Sequence, residues 1–118
     1  MSAPEARAAR ELRRARVPRF VQNARIELPD GRFYLADFLW SELRAILEID
    51  SVEYHINPVH WRATMDRHLE LTTLGYSVIH RPPSLVFREP VRFRSEVLTW
   101  LTALQRQVAA EGSMIRHS

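Results

Sequence analysis

Residues 37–50, Asp37-Phe38-Leu39-Trp40-Ser41-Glu42-Leu43-Arg44-Ala45-Ile46-Leu47-Glu48-Ile49-Asp50, decide the fold and point to the chemistry. The run Ala45-Ile46-Leu47-Glu48-Ile49 is apolar and β-branched enough for a central strand, which we place over residues 44–50. Successive strand side chains alternate faces, so Glu48 and Asp50 point one way while Leu47 and Ile49 point into the core. Upstream, Pro29-Asp30-Gly31 reads as a turn joining a strand over 21–28 to a hairpin partner over 33–38, which carries Asp37. Three carboxylates at one sheet edge repel and shift one another's pKa values unless a cation neutralises them. The pattern therefore predicts either a divalent-metal site or a structural cluster paired to an Arg, with Arg67 the natural partner.

Around this segment lies a helix over residues 4–16, capped by Ser2, with Pro4 early and Glu5 completing a capping box. Asn57-Pro58 opens a second helix, for which Trp61, Met65, Leu69 and Thr72 supply one face and Gly75 the stop. A short strand over 76–80 follows, and after Glu89-Pro90 a last helix carries Val97, Leu101, Leu104 and Val108 at helical spacing. The tail over 111–118 is expected to fray. The order α, β, β, β, α, β, α is that of a mixed α/β domain. A strand reached through a long helix returns parallel to its neighbour, so the expected sheet is a three-strand meander plus one parallel strand, sandwiched by helices.

A chain of 118 residues with 46% hydrophobic and 26% charged residues suits one domain, here 1–118 with its core over 20–110. No apolar run approaches the roughly 20 residues that span a bilayer, and no apolar signal segment follows the first Arg residues, so a cytoplasmic protein without a membrane partner is expected. There is no Cys, which excludes disulfides and thiolate zinc sites, and all 17 basic residues are Arg, which excludes a catalytic Lys. Six Arg against two Glu leave +4 in residues 1–19, while eleven Arg against twelve acids leave −1 over the rest. The basic first helix suggests an anionic partner through Arg7, Arg10 and Arg14, with nucleic acid the commonest; the alternative is an ordinary solvated helix face. Trp40, Trp61 and Trp100 read as packing residues, and the five His show no ligand spacing, with His80 ending its strand.

This order, with Asp37 and then Glu48-Ile49-Asp50, resembles the PD-(D/E)XK nuclease superfamily and its restriction-endonuclease-like αβββαβ core, here with an extra C-terminal helix. More closely, Asp37-Phe38-Leu39-Trp40, Leu47 to Ser51, His55, Arg67 and Leu74 to Ile79 look like small domains related to very-short-patch-repair endonucleases. Similar domains stand at the C-terminus of abortive-infection type IV antitoxin-like proteins, behind a winged helix that these 118 residues do not include. The resemblance implies Mg2+ or Mn2+ held by Asp37, Glu48 and the Ile49 carbonyl, with Asp50 as a further acid, and hydrolysis of DNA phosphodiester bonds. It also implies supporting roles for Glu5 and for Arg67 at the phosphate, and a dimer or partner protein to supply specificity. The departure is Asp50 where the superfamily has Lys. Asp50 could instead bind a second metal ion, or His55 could accept the proton. A catalytically silent domain that binds DNA or protein, such as an antitoxin or regulatory module, is the competing expectation. A third takes the chain as a piece of a protein whose winged helix carries the specificity.

Overall fold

In this computed structural model, residues 2–50 and 57–117 are described, with side chains through Gly112. Helix α1 spans Ala3–Arg14, with Ser2 Oγ accepting from the Glu5 N–H at 3.3 Å. Its sheet-facing side, Ala8, Ala9 and Leu12, is buried. Strands β1 (Val21–Glu27) and β2 (Phe33–Trp40) form the hairpin that Pro29-Asp30-Gly31 announced. Gly31 takes φ 90°, where a side chain would be strained, and Asp30 Oδ1 accepts from the Arg32 N–H at 3.0 Å to close the turn. A 3-10 turn, Ser41–Leu43, leads through Arg44 (φ 49°) into β3, Ala45–Ile49.

Helix α2 covers Pro58–Thr73 with Asn57 as its cap, and Gly75 (φ 92°) ends it so that the chain returns as β4, Ser77–Arg81. The sheet order is β1-β2-β3-β4, antiparallel up to β3 and parallel between β3 and β4. The expected meander plus one parallel strand is therefore the observed topology. Two elements follow: α3, Pro83–Arg88, which the sequence reading did not separate out, and α4, Pro90–His117, helical beyond Glu111 where a frayed tail was expected.

Both sheet faces are covered. On one side Phe38, Trp40 and Leu47 pack against α1, α3 and α4 through Leu12, Val86, Phe93, Val97 and Leu101. On the other, Ala24, Ile26, Ala36 and Ile46 meet Leu71 of α2. The expected apolar face of α2 needs correction: Trp61, Met65 and Leu69 are exposed, and Leu71 is the buried anchor. Apolar spacing alone cannot say which side of a helix meets the sheet, and here the inward side must also accommodate a polar cleft. Val108 likewise lies beyond the buried stretch of α4. Trp40 packs as expected, edge-on to Trp100 with ring centroids 6.0 Å apart, its indole N–H donating to the Pro18 carbonyl at 2.9 Å. Among the described residues no helix is long and apolar enough to cross a membrane.

Candidate functional site

The site is made possible by a break in strand alternation. Ala36 belongs to the core under α2, yet Phe38, two residues on, belongs to the opposite core, and Leu39 returns to the α2 side. The β1–β2 register is the same on either side, Ala24↔Ala36 and Gln22↔Phe38, and Asn23 and Asp37 are left unpaired between them. Asn23 sits there at φ 50°, a left-handed conformation that Asn tolerates better than most residues. This break in alternation lets Asp37 turn toward the end of β3 while its flanking residues stay in two cores.

Asp37 Oδ2 accepts the Ile49 N–H at 2.9 Å, and the Asp37 N–H reaches Glu48 Oε2 at 3.4 Å. Glu48, only 5% exposed, accepts the Tyr34 hydroxyl on Oε1. The Arg67 guanidinium stands 4.9 Å from the Tyr34 ring centroid. Among the described residues, no ion pair joins Asp37 or Glu48 to an Arg. Arg67 thus lies beside the cluster without neutralising it.

Burial pushes the Glu48 carboxyl up to about 9, the Asp37 charge adds to the rise, and the hydrogen bond from Tyr34 opposes it. Asp37 is raised too, first by burial, against the Ile49 N–H; the nearby charges of Glu5 and Asp50 push the same way as burial. The Tyr34 phenol is held far above its ordinary range by burial and by Glu48, so it keeps its proton and donates. At neutral pH the pair therefore retains a proton on Glu48.

Glu5, Tyr34, Asp37, Glu48, the Ile49–Asp50 strand end, His60, Thr64 and Arg67 line one cleft of about 290 Å3. Glu5, Asp37, Glu48, Asp50 and Arg67 are thus brought together as expected. A larger, more apolar groove of about 490 Å3 lies at the far end of β2, between Trp40 and Val108, with Glu42 its one acid. Volume favours that groove, but converging ionisable groups mark the smaller cleft as the functional candidate. His55 falls outside the described residues.

Asp50 behaves differently from its two fellow acids. It accepts from His80 Nδ1 on β4, and His80 Nε2 in turn lies 3.4 Å from Nδ1 of His68 on α2. Among the described residues, no group of three or more His, Asp or Glu side chains is arranged to hold a metal ion. Asp37 and Glu48 remain as two carboxylates beside the backbone of Ile49. Their donor set, oxygen only, raised in pKa and without a guanidinium partner, fits a hard divalent cation that would take the place of the shared proton.

Of the basic residues on α1, Arg7 and Arg14 lie 3.5 and 3.7 Å from the fully buried Glu11, which Arg94 of α4 also grips at 2.6 Å. They pin the helix. Arg10 is exposed. The sequence reading missed Tyr34, His68 and His80. Tyr34 could not be placed because the break in alternation at Asp37 hides which strand residues share its face, and the His pair needs the parallel register that sets Glu48 opposite His80.

No family model matches the chain, and no solved structure matches it. Two curated relatives, uncharacterized proteins from two strains of Mycobacterium tuberculosis, are each 28% identical over 67 residues, which is 57% of this chain and 25% of theirs. The chain thus spans about a quarter of the length of the curated relatives it matches.

Proposed function

We propose that this chain is a divalent-metal-dependent endonuclease-like domain of the PD-(D/E)XK type, hydrolysing DNA phosphodiester bonds. The observation that carries the reading is the pair of buried Glu48 and half-buried Asp37, which shares an open cleft and lacks a cationic partner among the described residues. Asp37 and Glu48, with the Ile49 carbonyl, would hold Mg2+ or Mn2+. Such an ion polarises a phosphoryl oxygen and lowers the pKa of water. Tyr34 fixes one Glu48 oxygen and the Ile49 N–H one of Asp37, and the other Glu48 oxygen meets only the long 3.4 Å contact of the Asp37 N–H, which leaves it lone-pair capacity for the ion. Arg67, on the cleft wall, is placed to grip a phosphate oxygen, and Glu5 adds negative charge that favours a dication. Exposed Arg10 and Arg14 would contribute to the DNA surface, with Arg7, more closely held by Glu11, beside them.

A second reading is favoured by Asp50. It stands where the superfamily has Lys and is occupied by His80, so β3 offers no cationic stabiliser for the transition state. The domain would then bind DNA or a protein without cutting.

Incubation of plasmid, linear and single-stranded DNA with the protein in Mn2+ or Mg2+ separates the two. Cleavage abolished by EDTA and by Asp37→Asn is the expected result. Salt-sensitive DNA binding with no cleavage under either ion would establish the silent domain instead.

A further inference from the structure

We propose that His68 and His80 form a second metal site, beside the carboxylate cleft and reached through Asp50 on its wall, that takes a borderline divalent ion such as Zn2+, with Asp50 orienting His80 from behind. The inference does not depend on the nuclease reading. It starts from the nitrogen spacing: Nδ1 of His68 and Nε2 of His80 are 3.4 Å apart. Two imidazole nitrogens bound to one tetrahedral Zn2+, each at about 2.0–2.1 Å, stand about 3.3–3.4 Å from each other. The ring planes are inclined by only 29°, with centroids 5.6 Å apart, and the two nitrogens approach each other directly, so an ion entering between them would replace that contact.

Asp50 supplies the second condition. His80 Nδ1 meets the Asp50 carboxylate, which holds the proton on Nδ1 and leaves Nε2 as a bare lone pair. A carboxylate behind a ligating histidine is the usual outer partner of zinc-bound imidazole, fixing tautomer and ring orientation. In the metal-free chain His68 Nδ1–H satisfies that lone pair. On binding, the His68 proton moves to its outer nitrogen through solvent, Nδ1 becomes a ligand, and no net proton is released from this ring. The backbone holds both ligands in advance, since His80 sits on β4 in register with Glu48 of β3, and His68 is on the helix that crosses to β4. His80 and Asp50 are each about one-third exposed, at 32% and 29%, so water or an incoming anion can complete the coordination. Imidazole nitrogen prefers Zn2+ and its neighbours to Mg2+, whereas the carboxylate cleft has the reverse preference.

The test is titration of the full chain with Zn2+, followed by calorimetry and by the ring 15N signals of the histidines. The expected result is one Zn2+ equivalent that shifts His68 Nδ1 and His80 Nε2, persists in Glu48→Gln, and disappears in His68→Gln and in His80→Gln. Asp50→Asn should weaken it by about 10- to 100-fold, the usual effect of losing an outer partner. Excess Mg2+ should leave the ring signals unmoved. If Zn2+ moves neither ring nitrogen in the unmodified chain, or if both His variants bind it with unchanged affinity, the site does not exist. The ring signals need no substitution, so the answer stands even where a variant folds poorly.

Discussion

Asp37 and Glu48 hold each other across β2 and β3 without a cation: the Asp37 N–H reaches Glu48 Oε2 at 3.4 Å, while Asp37 Oδ2 takes the Ile49 N–H at 2.9 Å. The arrangement fixes two carboxylates side by side in a place where neither ionises easily. It is the source of the clearest solution behaviour expected of this protein.

Glu48 should make the metal-free protein less stable as pH rises. Its folded pKa of about 9 lies above the ordinary 4.5, so the folded state binds more protons than the unfolded state between those values. The contribution is fully present below about 4.5 and is lost as pH climbs toward 9. Urea unfolding in EDTA at pH 5 and pH 8 should show the decline, and Glu48→Gln should flatten it, gaining on the order of 1–3 kcal/mol at the higher pH.

Metal binding at the same pair should release a proton. A dication can occupy Glu48 only after its proton leaves, so Mg2+ or Mn2+ affinity should rise between pH 6 and 9. Calorimetry in buffers of different ionisation enthalpy counts the proton, which should vanish in Glu48→Gln. An affinity independent of pH would place the ion elsewhere.

Glu11 should behave in the opposite sense. Burial raises its pKa, but the hydrogen bond from Arg94 and the charges of Arg14, Arg94 and Arg7 outweigh that and leave it lowered. Its stabilisation is therefore present above the ordinary carboxylate pKa and lost as pH falls through the lowered folded value. Glu11→Ala leaves Arg94 and the inward part of Arg7 without a partner in the α1–α4 interface, at a loss of about 3–5 kcal/mol, measurable by chemical denaturation at neutral pH.

Asn23 should matter for Asp37 although its side chain need not touch the cleft. With φ at 50°, it sits opposite Asp37 at the break that puts Ala36 and Phe38 on different faces. Asn23→Gly should be nearly neutral, while Asn23→Val should destabilise by about 1–2 kcal/mol and weaken Mg2+ binding by disturbing Asp37. Equal Mg2+ affinity in the two variants would detach the Asn23 conformation from the site.

Much of the architecture was legible in the chain itself. The turn at Pro29-Asp30-Gly31, the cap at Asn57 and the stop at Gly75 are local chemical signals, since each needs only a few neighbouring atoms. The apolar run Ala45–Ile49 requires a strand buried on both faces, and a strand following a helix returns in parallel, so the sheet order followed. Asp37, Glu48, Asp50, Glu5 and Arg67 were named from the same reasoning together with the nuclease resemblance, and they share one cleft.

What the tertiary structure alone decided concerns partners. Asp50, equivalent to Glu48 in strand alternation, leaves the acidic pair for His80 because β4 arrives in parallel with Glu48 opposite His80. Glu11 has Arg7 and Arg14 within reach along its own helix, but only packing buries it and brings Arg94 of α4 to the same carboxylate. The α2 stripe of Trp61, Met65 and Leu69 faces outward because Leu71 is the side chain that meets Ile46. Periodicity and caps are properties of a few consecutive residues and can be read along the chain. Which charge neutralises which, and which helix face turns inward, depends on segments far apart in sequence and is settled only when they pack.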